Sequence, residues 1–295
     1  MASQKKTLLD ITVILAVKNE ALNLSRCLSA LTAVKQVIVI DSKSTDQTIK
    51  IAKSLGTKLI QFKYKGGYPK KRQWALENIN FKTKWIFFLD ADEFVTEKLW
   101  DEIKRNITKE KSLDAYLITK EFHFLGKKFY FGGFSHSAVL LFKNGKARFE
   151  KLIEDNRDGL DMEVHERLIV DGEIGKISTP LIHQDFKGLE AYIQRHNKYS
   201  TWEAQLRFNF LKTGKYGQET IVPRFFGNSQ ERRRSIKKIV IHFPFESLIW
   251  FFYHYIFRLG FLEGRAGLIA SQIRYSYICQ VRAKVYELLL SYKKS

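Results

Sequence analysis

The segment Trp85-Ile-Phe-Phe-Leu-Asp-Ala-Asp-Glu93 places two aspartates and a glutamate directly after five consecutive apolar residues. A short, uninterrupted apolar run of this kind is typical of a buried strand in a parallel sheet. In an open α/β sheet, ligands bind beyond the carboxyl ends of the strands. Asp90 and Asp92 therefore have the position and spacing to hold a divalent cation together with diphosphate oxygens. The alternative is a solvated turn that caps a following helix.

The chain around this segment alternates between strand and helix patterns, which predicts a mostly parallel α/β sheet with right-handed crossovers. Pro69 is expected in the first turn of the third helix. From about Tyr116 to Ile182, short β-like runs and glycines predict a mixed-sheet half of the same domain. The expected strands are residues 11–17, 37–40, 58–60, 85–89, 115–119, 138–142 and 168–170, and the expected helices are 20–31, 48–55 and 70–79.

The spacing of apolar residues becomes helical from Leu189 onward. We therefore expect two parts: an α/β catalytic domain with a Rossmann-like sheet over residues 1–188, and a helical, amphipathic extension over residues 189–295. The extension is expected to serve membrane association or oligomerisation.

Polar residues follow three of the expected strands: Asn19 and Glu20 after the first, Asp41 after the second, and Asp90 with Asp92 after the fourth. Because the carboxyl ends of parallel strands meet at one edge of a sheet, these side chains are expected to lie together. Asp41 has the chemistry to accept a hydrogen bond from a nucleotide base or ribose; capping of the next helix is its alternative role.

The basic run Lys70-Lys71-Arg72 opens the third expected helix after a Gly66-Gly67 loop. Cations and unpaired backbone N–H groups at a helix start favour a phosphate, although a solvated basic face is an equal alternative. The sequence contains no Gly-x-Gly-x-x-Gly, Walker-type or Gly-x-Ser-x-Gly motif, so dinucleotide, P-loop and hydrolase interpretations lose their main support.

The charge of the 295-residue chain is unevenly distributed. The formal net charge is +19, of which +7 lies in residues 1–190 and +12 in residues 191–295. An excess of this size attracts polyanions such as nucleic acid, anionic lipid or phosphorylated substrates. The two cysteines, Cys27 and Cys279, exclude a disulfide scaffold and fit a reducing compartment. The first ten residues have no apolar run typical of a signal peptide, so export is not expected.

The strongest apolar feature of the basic half is the stretch from Phe243 to Phe261, which contains nine aromatic residues. His242, Pro244, Glu246, His254 and Arg258 interrupt it, so it is too short to cross a bilayer. Aromatic residues near cations suit an interfacial position on anionic lipid. The upstream cations are Arg232, Arg233, Arg234, Lys237 and Lys238. Packing against the catalytic domain or another subunit is the alternative.

Four segments in matching order resemble a family 2 glycosyltransferase of the GT-A fold. They are Val13-Ile-Leu-Ala-Val-Lys-Asn-Glu20, Val37-Ile-Val-Ile-Asp-Ser-Lys-Ser-Thr-Asp46, Lys71-Arg-Gln-Trp-Ala-Leu76 and Phe88-Leu-Asp-Ala-Asp-Glu93.

The chain is similar in particular to the bacterial subgroup that builds lipopolysaccharide cores and other lipid-anchored glycans. That likeness rests on Val164-His165-Glu166, Leu181-Ile-His183 and Gly260-Phe-Leu-Glu-Gly-Arg-Ala-Gly267. It is weakest between Lys151 and Met162, and the subgroup's usual Gly-Ser is Lys43-Ser44 in this chain.

The resemblance implies an inverting, metal-dependent transfer of a sugar from a nucleotide-sugar donor, with UDP as the family's default. It implies a lipid-linked or lipopolysaccharide-like acceptor at the cytoplasmic membrane face. An inverting transferase needs a general base for the acceptor hydroxyl and positive charge on the departing diphosphate. Glu166 is the expected base, with His165 as an acceptor contact and Glu93 and Asp185 as fallback carboxylates.

The implied cofactor is Mn²⁺ or Mg²⁺, with Asp92, Asp90 and His183 as expected ligands; the alternative role of His183 is that of a hydrogen-bonded histidine at the sheet end. The expected donor-binding residues are Val17, Asn19, Glu20, Asp41, Lys71, Arg72, Asp90 and Ala91.

Two other functions compete with this one. A basic nucleic-acid-binding protein agrees with the net charge, but the cations adjoin an apolar stretch rather than a nucleic-acid motif. A sugar nucleotidyltransferase would share an α/β nucleotide fold, yet the first strand leads into Val17-Lys-Asn-Glu20 and not into a glycine-rich phosphate loop.

Overall fold

The computed structural model describes residues 7–152, 160–163, 166–215, 224–226 and 229–294, without the side chains of 229–234 and 294. The main sheet has the strand order β3-β2-β1-β4-β8-β6-β11-β5, and β7 pairs with β6. Its strands are β1 (Leu9–Val17), β2 (Val34–Asp41), β3 (Lys58–Gln61), β4 (Trp85–Leu89), β5 (Glu93–Phe94), β6 (Ala115–Phe124), β7 (Lys127–Lys128), β8 (His136–Lys143) and β11 (Ile174–His183); β9 (Ala147–Phe149) and β10 (Leu168–Val170) form a separate pair.

The first four strands form the predicted parallel half of the sheet. β1 lies between β2 and β4, with Val17 opposite Asp41 and Leu15 opposite Leu89. This register brings the carboxyl ends of three strands to one edge. All five residues of β4 are buried, as expected for a strand that is covered on both faces.

The second half of the sheet is mixed. β8 runs antiparallel to β4 and β6, while β11 runs parallel to β6. β5 pairs antiparallel with β11, and this places His183 opposite Glu93. A residue nearly a hundred positions downstream thus joins the acidic segment that follows β4.

Helices cover both faces of the sheet, and two apolar clusters lie between them. The helices are α1 (Ala21–Ser29), α2 (Thr48–Ser54), α3 (Lys71–Asn78), α4 (Glu97–Ile107), α5 (Gly188–Thr213), α6 (Ser229–Val240), α7 (Glu246–Phe252) and α8 (Arg265–Lys294).

Two helices differ from the sequence expectation. α4 was not predicted; it is capped by Thr96, whose hydroxyl accepts a hydrogen bond from the Leu99 N–H at 3.2 Å. The expectation that Pro69 lies in the first turn of the third helix is wrong, because α3 begins at Lys71. The loop before α3 ends at Lys70, whose backbone is extended.

The described part of the chain after β11 contains helices and turns, with α5 packed on α8 and α7 packed on α8. A π-helical turn (Tyr253–Phe257) and a 3₁₀ turn (Gly260–Glu263) join α7 to α8. The division into a catalytic part over 1–188 and an extension over 189–295 stays a prediction. Among the described residues, no helix is long and apolar enough to cross a membrane.

A buried ionic network holds the C-terminal helices together. Arg207 of α5 contacts Glu203 at 2.7 Å and Glu246 of α7 at 2.6 Å, and all three side chains are at most 3% exposed. The Tyr277 hydroxyl of α8 donates to Glu203 at 2.7 Å. Removing one partner of such a buried pair is costly because the other charge stays desolvated. The network therefore fixes the mutual arrangement of α5, α7 and α8.

The 3₁₀ turn attaches these helices to the sheet. One carboxylate oxygen of Glu263 accepts hydrogen bonds from the N–H groups of Tyr130 and Phe131 at 2.6 and 2.7 Å, and the other contacts Lys127 at 2.8 Å. The His254 ring lies on Phe134, with the ring centroids 4.7 Å apart. The segment between β7 and β8 is thus docked on the turns that precede α8.

Two glycines permit a close approach inside this attachment. A Cβ atom at Gly267 would lie 2.0 Å from the Gly260 carbonyl oxygen, and one at Gly260 would lie 2.5 Å from the His254 carbonyl oxygen. Both obstacles are backbone atoms, which cannot turn aside as a flexible side chain would. The glycines of the Gly260–Gly267 segment therefore have a packing role.

We expect Gly267→Ala to lower the free energy of unfolding by about 2 kcal/mol, because overpacking outweighs the better helix propensity of alanine. Urea denaturation followed by tryptophan fluorescence measures the change. Ser276→Ala, an exposed position of the same helix, is the control and should stay within about 0.5 kcal/mol of the wild type. Equal stability of the two variants would contradict the close approach.

Candidate active site

The acidic segment after β4 carries two buried cations from elsewhere in the chain. Arg72, at the start of α3, forms an ion pair with Asp90. Lys120 of β6 contacts Asp90 at 3.0 Å and also pairs with Glu93. The Glu93 side chain is fully buried, and its second oxygen accepts a hydrogen bond from the Asp90 N–H at 2.9 Å. Three segments that are distant in sequence therefore meet at Asp90.

Burial and the neighbouring charges shift the pKa values of Asp90 and Glu93 in opposite directions. Arg72 and Lys120 lower the pKa of Asp90 well below its usual range, despite the opposing effect of burial. Burial raises the pKa of Glu93 to about 7, with Asp90 adding to the rise and Lys120 opposing it. The carboxylates raise the pKa of Lys120 against the effect of burial. Near pH 7, Asp90 is thus ionised and Glu93 exchanges a proton.

Asp92 forms a separate pair with His183. The His183 Nε2 atom lies 3.2 Å from Asp92 Oδ2, and the Gln184 N–H donates to the Asp92 carbonyl at 2.9 Å. Asp92 and Glu93 raise the pKa of His183, although burial opposes them. Both side chains keep some exposure, at 12% for Asp92 and 29% for His183, so both remain accessible to a ligand.

The described residues contain no group of three His, Cys, Asp or Glu side chains in metal-ligand geometry. The predicted ligand set of Asp90, Asp92 and His183 divides accordingly: Asp90 turns to two cations, whereas Asp92 and His183 adjoin each other. A carboxylate oxygen and an imidazole nitrogen are suitable donors for Mn²⁺. In chemistry and placement, the Asp92–His183 pair fits two coordination positions of such an ion. Oxygen atoms of the substrate and of water would fill the other positions.

The loops after β1 and β2 are joined by hydrogen bonds. Asn19 accepts from the Thr45 N–H at 2.8 Å, and its own N–H donates to the Ser44 hydroxyl at 2.8 Å. Asp41 is fully buried and accepts from the Ser44 N–H at 3.0 Å and from Gln61 at 3.1 Å. These contacts fix the edge at which the strand ends meet.

Glu20 and Asp185 join the end of β1 to the end of β11. Glu20 pairs with Lys187 at 2.6 Å, and Asp185 pairs with Arg195 of α5 at 2.9 Å. Asn23 donates from its amide to both carboxylates at 2.9 Å. Asp185, a fallback base in the sequence analysis, is thus held by a hydrogen bond from Asn23 and an ion pair with Arg195.

Each residue of the basic run at the start of α3 contacts a different acidic side chain. Lys70 lies 2.8 and 3.0 Å from the two oxygens of Glu166. Lys71 donates to the Val17 carbonyl at 2.9 Å and lies 3.2 Å from Asp161. Arg72 pairs with Asp90, as described. The run is buried, so its interpretation as a solvated basic face is wrong.

Glu163 was missed by the sequence reasoning. Its two carboxylate oxygens accept hydrogen bonds from the Arg72 and Gln73 N–H groups, at 3.1 and 2.9 Å. Burial raises its pKa, and Arg72 opposes the rise. The basic helix start signals that acidic partners are needed. Sequence spacing alone does not show that a segment ninety residues away supplies one of them.

Several predicted residues can now be placed. Ala91 is buried between Asp90 and Asp92, and the Glu166 side chain is 3% exposed against Lys70. His165, its neighbour Val164 and the whole acidic 154–158 stretch lie outside the described residues. The individual site roles stay predictions.

The mostly parallel sheet, whose strand ends gather an Asp-x-Asp segment and a basic helix start beside a mixed second half, has the GT-A architecture, and the sequence matches identify the chain as a glycosyltransferase. The chain resembles family 2 in particular: residues 12–123 match the family model described as "Glycosyl transferase family 2". The matched segment runs from β1 through β6 and includes Arg72, Asp90, Asp92 and Lys120.

The curated relatives agree with this assignment. The chain is 24% identical, over 91% of its length and 89% of the relative, to "Lipopolysaccharide core biosynthesis glycosyltransferase LpsC" of Rhizobium meliloti. It is 38% identical to an uncharacterized glycosyltransferase of Rickettsia bellii over 36% of this chain and 35% of that protein. The chain therefore resembles the lipopolysaccharide subgroup along nearly its whole length.

Two solved structures show more distant likeness. Staphylococcus aureus TarS 1–349 covers 90% of each chain at 16% identity with a TM-score of 0.38. Glucosyl-3-phosphoglycerate synthase of Mycobacterium tuberculosis, solved with Mn²⁺ and UDP, covers 38% of this chain and 44% of that one at 19% identity with a TM-score of 0.31. Because both TM-scores lie below 0.5, the fold assignment rests on the strand order of this chain.

We expect Lys120→Met to lower the free energy of unfolding at pH 8 by about 3 kcal/mol, because it leaves buried carboxylates with one cation fewer. The raised pKa of Glu93 makes its folding contribution fully present below about 4.5 and lost as the pH rises through about 7. The variant raises that pKa further, so its deficit should be smaller at pH 5 than at pH 8.

Urea denaturation in metal-free buffer at both pH values measures this difference. Lys35→Met removes an exposed cation that pairs with Asp10, and it should cost less than about 1 kcal/mol at either pH. A Lys120→Met deficit that is equally small, or that does not grow with pH, would contradict the buried network.

Proposed function

We propose that this glycosyltransferase is an inverting, metal-dependent enzyme that moves a sugar from a nucleotide-sugar donor, with a uridine base, to a lipid-linked or lipopolysaccharide-like saccharide. The observation that carries the proposal is the grouping of Asp90, Asp92 and His183 with Arg72 and Lys120 at the strand ends of the family-matched segment. This grouping has the charges that a departing diphosphate requires.

The donor side of the site is supplied by the ends of β1, β2 and β4 and by α3. Asp41 and the Asn19 loop are the proposed nucleoside contacts, because ligands of an open α/β sheet bind beyond the carboxyl ends of its strands. Lys71 is another cation at this edge of the sheet. Burial lowers the pKa of Lys71, although Asp161 opposes the shift. Arg72 and Lys120, which both pair with Asp90, are the cations proposed to contact the diphosphate.

Asp92 and His183 would hold the divalent cation, Mn²⁺ or Mg²⁺, and Asp90 would adjoin it. The metal supplies positive charge to the diphosphate leaving group. Asp90 holds Arg72 and Lys120 at this point, so the chain's own cations act on the same developing charge. The buried carboxyl of Glu93 holds Lys120 from the other side.

Glu166 is the proposed base. In an inverting step, its carboxylate takes the proton of the acceptor hydroxyl while the hydroxyl oxygen bonds to the anomeric carbon. The bond from that carbon to the diphosphate oxygen breaks, and the nucleoside diphosphate leaves with the electron pair. Lys70 contacts both Glu166 oxygens, and the Lys70 ammonium lies 5.0 Å from the Trp202 ring centroid. These contacts orient the base.

The exposed face of the C-terminal helices supports docking on the cytoplasmic face of the membrane. Among the described residues, half of the exposed large hydrophobic side chains lie between Phe225 and Leu262. Phe245 and Phe257 are 67% and 78% exposed. Exposed apolar side chains that lie close in sequence to the cations from Arg232 to Lys238 suit the boundary of an anionic bilayer. The name of the Rhizobium relative supports the same class of acceptor.

The first experiment combines donor binding with turnover. We expect a sugar nucleotide with Mn²⁺ to raise the melting temperature of the wild type by mass action, and to release nucleoside diphosphate. Glu166→Gln should keep the donor-induced shift and lower transfer by at least a hundredfold, because general-base catalysis contributes about 10²–10⁴-fold. Near-normal turnover of this variant would refute the assigned base.

The control variant for that experiment is Glu173→Gln, which changes an exposed carboxylate and should leave both readouts unchanged. Release of inorganic diphosphate from a nucleoside triphosphate would instead favour a nucleotidyltransferase. Retention on DNA stronger than retention on lipid would favour a nucleic-acid-binding protein.

We expect Phe245→Ser with Phe257→Ser to reduce cosedimentation with phosphatidylglycerol vesicles by at least tenfold, because two exposed rings no longer enter the interface. Tyr286→Ser with Tyr292→Ser, which changes two exposed rings of α8 outside this surface, should bind like the wild type. Wild-type protein that stays in the supernatant at moderate salt would refute membrane docking.

A further inference from the structure

A second group of cations and aromatic rings lies between α5, α7 and α8. The Arg274 guanidinium of α8 lies 5.6 Å from the Trp250 ring centroid and 5.2 Å from that of Tyr277. The His196 ring of α5 lies 5.9 Å from the Tyr277 ring and stacks on Tyr192 at 3.9 Å. We call Arg274, Trp250, Tyr277, His196 and Tyr192 the Arg274 cluster.

Arg274 is half-buried and has no anionic partner among the described residues. Within the described part of the structure, no carboxylate lies within ion-pair distance of it, and its Nε atom is buried without a hydrogen-bond partner. Arg207 on the neighbouring helix, by contrast, is matched by Glu203 and Glu246. Two aromatic faces offset only part of the cost of desolvating a guanidinium.

The neutral members of the cluster do not supply a negative charge. Burial lowers the pKa of His196 to about 4, with Arg195 and Arg274 adding to the effect. Its Nδ1–H donates to the Tyr192 carbonyl at 2.8 Å, because a carbonyl can only accept. Burial raises the pKa of Tyr192 and of Tyr277. At pH 7 the cluster therefore carries the unmatched charge of Arg274.

The cluster continues to the proposed reaction centre along α5. The Tyr199 ring lies 5.6 Å from His196, and burial together with Asp90 and Asp92 raises the pKa of Tyr199 to about 12. Asp92 also acts on Arg195, whose pKa is raised chiefly by Tyr199 and Asp185 against the effect of burial. One face of α5 thus links the acidic segment to Arg274. On the far side of Arg274, Trp250 belongs to α7, which lies in the chain between the exposed Phe245 and Phe257.

We propose that the Arg274 cluster is a subsite for an anionic group, a phosphate or a carboxylate, on the acceptor saccharide. The proposal rests on the proposed function, since it names the acceptor's chemical class. The guanidinium offers paired donors to a phosphate or carboxylate, and the half-buried rings of Trp250 and Tyr192 offer flat apolar surfaces to a sugar. The acceptor therefore has a charged group in addition to the hydroxyl that receives the donor sugar.

The binding experiment uses the full-length protein with glucose 6-phosphate, glucuronate and glucose as probes, measured by isothermal titration calorimetry. We expect at least one anionic probe to bind at least tenfold more tightly than glucose. The preference between phosphate and glucuronate identifies the anionic group. Arg274→Met should reduce the binding of the preferred probe to the level of glucose, and Arg274→Lys should retain part of it. Arg265→Met removes an exposed cation at the start of the same helix and should have no effect.

A second measurement needs no variant: the preferred probe should protect Arg274 of the wild type from phenylglyoxal, as read by peptide mass spectrometry. Equal binding of all three probes, unchanged binding by Arg274→Met, or no protection would overturn the subsite and leave Arg274 as packing between α7 and α8. A wild type that binds the anionic probe but shows no donor-induced melting shift would refute the proposed transferase function and not the subsite.

Discussion

The pairing of Asp90 with Arg72 and Lys120 is the interaction on which the proposed site depends. Glu93 is fully buried and the Asp90 side chain is 26% exposed, at the end of a strand that is buried on both faces. Carboxylates in such a place are tolerated only if cations reach them. Arg72 therefore requires α3 to begin close to the strand end, and Lys120 requires β6 to run past it. The same cations are available to a diphosphate, so the requirement of stability and the proposed chemistry coincide.

The start of α3 shows how this requirement extends outward. Asp161 and Glu166 contact Lys71 and Lys70, while Glu163 accepts hydrogen bonds from the first N–H groups of the helix. The segment that carries the proposed base is therefore positioned by the helix that carries the proposed diphosphate cation. Donor and acceptor sides are coupled through one helix terminus.

The C-terminal helices are connected to this centre in two ways. Glu263 fixes the turn before α8 to the segment that follows β7, and α5 carries Arg195 and Tyr199 toward the acidic segment. In the proposed enzyme, the surface that meets the membrane and the surface that receives the acceptor belong to the same helices. A lipid-linked saccharide would then pass the Arg274 cluster before it reaches the donor.

The sequence by itself determined the parallel half of the fold. Apolar runs, glycines and charged ends are local signals, and they predicted β1 to β4 and the gathering of Asn19, Asp41 and Asp90 at one edge. Motif order also determined the enzyme class. The tertiary structure decided the ion pairs of Lys70, Lys71 and Arg72, the position of His183 beside Asp92, and the unmatched charge of Arg274. These depend on register and on contacts between segments up to about a hundred residues apart, where sequence spacing carries no information about distance.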